Sequence, residues 1–162
     1  MMYSRELVDD EPHADATAAS TLWGRPHGIW ITWEVQRRTT ELARHLGVTL
    51  VRLLYNGPRW RRYPVLLVAT LWELMRRRPK VLFVQNPSIV LTVLACMLRP
   101  VLQYRLVVDR HSNFMFRREP GLVKSAFLSL SSFTLRHADL TIVTNGYLRD
   151  VVLEKGGRPF VL

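Results

Sequence analysis

The stretch RLVVDRHSNF, Arg105 to Phe114, decides how this chain folds. Leu106, Val107 and Val108 are consecutive and apolar. A strand covered on both faces looks like that, whereas a strand with one wet face alternates apolar and polar residues. The run then breaks into an acid, a guanidinium, an imidazole, a hydroxyl and an amide, Asp109 to Asn113. Such a segment is either a solvated turn or a set of groups that the strand delivers to a cleft.

Two further segments share the pattern. Val81-Leu-Phe-Val84 precedes Gln85-Asn-Pro-Ser88, and Leu140-Thr-Ile-Val143 precedes Thr144-Asn-Gly146. Helical segments separate the strands. Glu34 to Leu46 places Val35, Leu42, Ala43 and Leu46 on one face, and Gly47 stops it. Pro64 suits the first turn of a helix through Met75. Ser88 caps a helix to about Leu98, Lys124 to His137 is helical, and Tyr147 to Glu154 is a short helix. Gly28 to Thr32 and Val48 to Tyr55 add two strands at the start, and Phe160-Val-Leu162 opens another at the end. This β-α alternation predicts an α/β fold: a doubly wound, parallel, Rossmann-like sheet of five to six strands with helices on both faces, over residues 28–162. Residues 1–27 are acidic, lack a sustained period, and read as a disordered tail. The apolar ending at Leu162 points to a partner, a following domain or a truncation.

Ligands of an open parallel sheet bind at the carboxyl ends of its strands. That rule makes the post-strand segments the candidate site. His111 is the candidate for proton transfer, since its intrinsic pKa lies near neutrality, with Asp109 or Asn113 to orient it. Glu34, Arg37 and Arg38 open the first helix and suit an anionic or hydroxyl-rich ligand, or form a solvated helix face. Asn86 and Asn145 are rim amides or ordinary turn residues. His27, His45 and His137 show no metal-ligand spacing, and no metal site is expected.

Charge is uneven. Five of the thirteen acids lie in the first fifteen residues, and from residue 16 onward there are 22 basic and 8 acidic residues. A body this basic attracts anionic lipid or polyanions. Trp60, Arg61 and Arg62 precede the apolar helix that holds Trp72, and Arg76, Arg77 and Arg78 close it. This patch suits a membrane interface or a nucleic acid, and arginines also suit a helix carboxyl end. The apolar runs are shorter than the roughly 20 residues of a membrane-spanning helix. The single cysteine, Cys96, excludes an internal disulfide and lies in an apolar run, as a buried thiol would. No signal peptide is evident, and a cytoplasmic location is expected, with peripheral attachment to the inner face of the plasma membrane. No phosphate-binding loop, dinucleotide fingerprint or nucleophile elbow occurs.

The segments ITWEVQRRTTELARHLGV, PKVLFVQNPS, RLVVDRHSNF and RHADLTIVTNGYLRDVV, taken in this order, resemble the amino-terminal half of GT-B glycosyltransferases. The likeness is to bacterial family 4 enzymes and to the dolichol-pathway mannosyltransferase that acts on a chitobiosyl lipid. It implies an acceptor-binding domain that takes a lipid-linked or polysaccharide acceptor and docks on an anionic membrane surface. It implies a nucleotide-sugar co-substrate and no cofactor, with the donor held mainly by a carboxyl-terminal GT-B domain or a separate donor-binding subunit. On this reading the chain is a fragment of a longer transferase or the acceptor subunit of a split one, inactive alone. Asp109 and His111 match the family's acidic and histidine positions. Asn113 falls one residue late, because Ser112 intervenes. The family's glycine-rich turn after the first strand is replaced by Thr32 to Arg38. The competing expectation is a non-enzymatic basic module that binds membrane or nucleic acid, although no specific nucleic acid is expected as a partner.

Overall fold

The structure is a computed structural model that describes residues 3–8, 28–86, 88–111 and 121–162. Along the chain run β1 (Tyr3–Val8), β2 (Gly28–Thr32), α1 (Arg37–His45), β3 (Thr49–Tyr55), α2 (Arg59–Arg77), β4 (Val81–Gln85), α3 (Ile89–Leu102), β5 (Arg105–Arg110), α4 (Gly121–His137), β6 (Leu140–Val143), α5 (Gly146–Glu154) and β7 (Pro159–Val161). The strands form a seven-stranded sheet in the order β1-β3-β2-β4-β5-β6-β7. It is mostly parallel: β2 pairs with β3, β5 with β6, and β6 with β7 in parallel, and β1 runs antiparallel to β3. The expected α/β, Rossmann-like class holds.

The strand count exceeds the expected five to six, and the reason lies in the segment read as a tail. Residues 3–8 pair with β3 from Tyr3 opposite Tyr55 to Val8 opposite Leu50. Arg5 reaches Glu73 at 3.1 Å, and Glu6 lies 3.7 Å from Arg52. The local pattern was too short and too charged to announce a strand; its partners are some fifty residues away in sequence. Residues 9–27 lie outside the described residues.

Two compact units make up the chain, Met1–Phe83 with Leu102–Tyr104, and Val84–Val101 with Arg105–Leu162. In the first, Trp30, Ala43, Val48 and Leu50 form a core cluster, with Leu42 and Phe83 packed against it. Trp30 and Phe83 stack with centroids 5.4 Å apart. In the second, Leu135, Val143, Leu148 and Val152 form the cluster. Full burial stabilises each such aliphatic side chain by about 1.5–3 kcal/mol.

Helix boundaries differ from expectation where prolines misled. α2 begins at Arg59, five residues before Pro64, which sits inside it. The Arg61 N–H donates to the Pro58 carbonyl at 3.0 Å, so the helix nucleates ahead of the proline. α3 likewise passes through Pro100 to Leu102. Proline removes one backbone donor, a loss that packing can outweigh. α1 is shorter than expected, leaving Glu34 before its N-cap residue, Gln36. Gly47, with φ of 63°, ends α1 as predicted, in a conformation that favours glycine.

Candidate functional site

β5 runs two residues past its apolar stretch. Asp109 pairs with Ile142 and Arg110 with Val143 in β6, so both are strand residues. Both side chains are buried. Asp109 therefore does not stand on the lip of the sheet. His111 is the first residue beyond the strand, and its side chain keeps 23% exposure. Its Nδ1 is buried and faces Asp109 Oδ2 at 3.5 Å. That is close enough for an ion pair once the ring is protonated, and slightly long for a good hydrogen bond. With Nδ1 turned inward, the exposure of the ring belongs to its other atoms. Asp109 itself is fully buried and presents its Oδ2 to the ring.

Asn86 joins this pair through the backbone. It follows β4, and its N–H donates to the Asp109 carbonyl at 3.0 Å. Its side chain is 2% exposed, and neither Oδ1 nor Nδ2 has a hydrogen-bond partner among the described residues. A buried polar group in that state costs about 1–3 kcal/mol. Native proteins rarely leave such a group so, and a ligand is one way to satisfy it.

Arg110 is the residue that sequence reading passed over. Its Nη1 donates to Ser131 Oγ of α4 at 3.1 Å. Burial pushes its pKa below the usual arginine value, and Tyr147 opposes that shift. The guanidinium is a buried charge at the end of β5. The available signal was a cation immediately following an acid at the end of an all-apolar strand, which is costly to bury and seldom incidental.

The other candidates separate. Asn145 is exposed, and its Oδ1 accepts from the Leu148 N–H at 2.9 Å as the N-cap of α5. That oxygen has a structural task. Asn113 lies outside the described residues. In the first unit, Glu34 Oε2 accepts from Gln36 Nε2 at 3.2 Å, and Glu34 Oε1 lies 3.8 Å from Arg62 Nη2. Arg37 and Arg38 occupy the first turn of α1, which contains no acidic residue of its own. Cations at that end oppose the helix dipole by roughly 0.3–1 kcal/mol each, and an anionic ligand would reverse the sign. His45 and His137 place Nδ1 2.7 and 2.8 Å from the carbonyls of Glu41 and Phe133, in structural roles. His27 lies outside the described residues. Among the described residues no group of three or more His, Cys, Asp or Glu could hold a metal ion.

The family model for Glycosyltransferase Family 4 matches residues 24–160. The chain belongs to this family. Comparison with curated proteins and with solved structures finds no match. Membership supports a glycosyltransferase-type function.

The basic patch of this family 4 chain is only partly free. Arg77 Nε is bound to Glu73 Oε2 at 2.8 Å, and Arg62 faces Glu34. Arg61, Arg76 and Arg78 are exposed, as are Trp60 and Trp72, and the Arg61 guanidinium lies 4.3 Å from the centroid of the Trp60 ring. Among the described residues no helix is long and apolar enough to cross a membrane.

Proposed function

We propose that this chain is the acceptor-binding half of a glycosyltransferase, moving a sugar from a nucleotide-sugar to a lipid-linked or polysaccharide acceptor. The observation that carries the reading is the end of β5: a partly exposed imidazole backed by a buried carboxylate, beside a buried amide with no partner among the described residues. In sugar transfer the bond from the anomeric carbon to the nucleotide breaks. A new bond forms to an acceptor hydroxyl, whose proton has to leave. His111 is the group for that proton or for a hydrogen bond to a sugar hydroxyl, and Asp109 stabilises the imidazolium. The Asn86 amide offers a donor and an acceptor side by side, which matches neighbouring sugar hydroxyls. Glu34, Arg37 and Arg38 supply polar and cationic groups for the acceptor.

The donor is held by a carboxyl-terminal GT-B domain or subunit, so the chain alone does not turn over. Trp60, Trp72 and the exposed arginines bring it to the anionic inner face of the plasma membrane. The test supplies a family 4 carboxyl-terminal domain in trans, with UDP- and GDP-sugars and polyprenyl-linked or polysaccharide acceptors, and measures released nucleotide. Turnover is expected only with both proteins present. His111→Ala is expected to cut the rate by about 10²–10⁴-fold. An unchanged rate removes His111 from the mechanism.

The exposed Trp and Arg side chains of α2 also favour a second reading, a non-enzymatic basic module on membrane or nucleic acid. Co-sedimentation with liposomes and with oligonucleotides across a salt series tests it. Failure to bind either at low salt disposes of it.

A further inference from the structure

The end of β5 is held from both faces of the sheet. Successive side chains of a strand leave by opposite faces, so Asp109 and Arg110, in register with Ile142 and Val143, point to opposite sides. His111 turns its Nδ1 to Asp109 Oδ2 at 3.5 Å and so belongs to the Asp109 side. On the other side, Arg110 Nη1 donates to Ser131 Oγ of α4 at 3.1 Å. Ser131 is a firm anchor, buried together with Thr134 and Leu135 of the same helix. Its carbonyl accepts from Thr134 Oγ1 at 2.8 Å, and the Thr134 carbonyl accepts from Cys96 Sγ of α3 at 3.9 Å. The tie therefore runs from the last residue of β5 into the packed part of α4 and on to α3.

Packing alone does not ask for a guanidinium here. Leu106, Val107 and Val108 fill the preceding strand positions with carbon. Arg110 is 4% exposed, and burial works against its charge. Replacing a buried ionic group by carbon is often neutral or stabilising, so its presence points to a demand for geometry rather than for stability. The geometry at stake is that of the next residue. β5 ends at Arg110, and His111 lies beyond the strand. The direction in which the chain leaves residue 110 thus sets where the imidazole lands. The margin is small, since a further shift of about 1 Å takes the ring out of reach of Asp109.

We infer that Arg110 is a positioning residue: tied to Ser131, it fixes the exit of the chain from β5 and thereby holds the His111 ring against Asp109. The inference rests on the reading of His111 as the group that takes the acceptor's proton, and adds to it a residue on the opposite face of the sheet. With Asp109 accepting from Nδ1–H, the neutral ring keeps its Nε2 lone pair for that proton.

The tautomer of His111 tests the inference without any partner domain. Long-range proton–nitrogen correlation NMR of the full chain at alkaline pH distinguishes Nδ1–H from Nε2–H rings, and His111→Gln identifies the signal. The wild type is expected to show the Nδ1–H form. Arg110→Met and Ser131→Ala should both turn it into a mixture of the two forms while retaining a cooperative melt. Ser131→Ala removes only the hydroxyl, and it decides the matter if Arg110→Met does not fold. In the two-component transferase assay Arg110→Met should lower kcat by about 10–100-fold with KM unchanged. An arginine with a purely structural task would lower Tm and leave the tautomer as it is. The wild-type tautomer in either folded variant, or an Nε2–H ring in the wild type, overturns the inference. A changed tautomer with unchanged kcat upholds the positioning of the ring and removes His111 from sugar transfer instead.

Discussion

Glu73 in α2 and Asp109 in β5 are both buried carboxylates, and their surroundings differ in kind. Glu73 is 1% exposed and held by two guanidinium groups, Arg77 at 2.8 Å and Arg5 at 3.1 Å. Asp109 has beside it an imidazole at 3.5 Å and, across the strands, an amide with no side-chain partner among the described residues. The first network is closed. Each guanidinium also keeps partial contact with water, so burying the carboxylate is compensated twice over. The second is open at Asn86 and His111. A closed polar network holds structure together, while an open one carries a standing cost that a ligand can remove.

Glu73→Ala attacks the closed network and carries the largest expected stability loss. Removing one partner from a buried charge cluster costs about 3–5 kcal/mol when the rest stays buried. Arg5 and Arg77 can reach water, so the loss falls near the lower end, about 3 kcal/mol, which lowers Tm by roughly 6–12 °C. A thermal melt measures it. A shift of a degree or less would show that these ion pairs hold nothing.

Asn86→Leu attacks the open network and is expected to behave in the opposite way. Replacing an unsatisfied buried amide by carbon of similar shape leaves Tm unchanged or raises it by a few degrees. In the two-component transferase assay the same variant loses about 10–100-fold in kcat/KM, the loss of one or two hydrogen bonds to substrate. A large fall in Tm would mean that the amide is already satisfied in the folded protein, and the contrast with Glu73 would collapse.

Cys96 adds a third buried group, on the closed side. Its thiol donates to the Thr134 carbonyl at 3.9 Å, and burial pushes its pKa from 9.0 to about 12. The folded state holds the proton more tightly than the unfolded state. Its contribution is therefore full below pH 9 and is lost as pH rises from 9 towards 12. At pH 10 the loss is on the order of 1 kcal/mol. Denaturation across pH 8 to 10.5 should show this slope in the wild type and a shallower one in Cys96→Ala. Equal slopes would mean that the thiol is more open than its 4% exposure indicates. The smallest expected effect is at Asn145. Loss of its cap in Asn145→Ala costs about 1 kcal/mol, and Asn145→Ser restores most of it. If Ser does not restore stability, the capping role assigned to Asn145 is wrong.

The strand ends around the candidate site were legible before any coordinates. The polar residues after each apolar run marked where strands end, and His111 and Asn86 lie where that rule put them. The rule misjudged depth. Asp109 and Arg110 continue the strand, because β6 offers partners as far as Val143. Asn145 looked like the other rim amides, yet its oxygen serves its own helix; only the Leu148 N–H at 2.9 Å distinguishes it. The arginine cluster after Trp72 read as one patch, but a carboxylate one helical turn away takes Arg77 and leaves Arg76 and Arg78 exposed.

Sequence alone determined the α/β alternation, the basic body and the segments that carry polar groups past the strands. Those properties are local: a few adjacent side chains set strand or helix preference, and charge is a sum over residues. Tertiary structure decided the strand at residues 3–8, the burial of Asp109 and Arg110, and the pairing of Glu73 with two arginines. Each of these depends on which distant segment lies alongside, and pairing partners and burial arise only when the chain brings separated residues together.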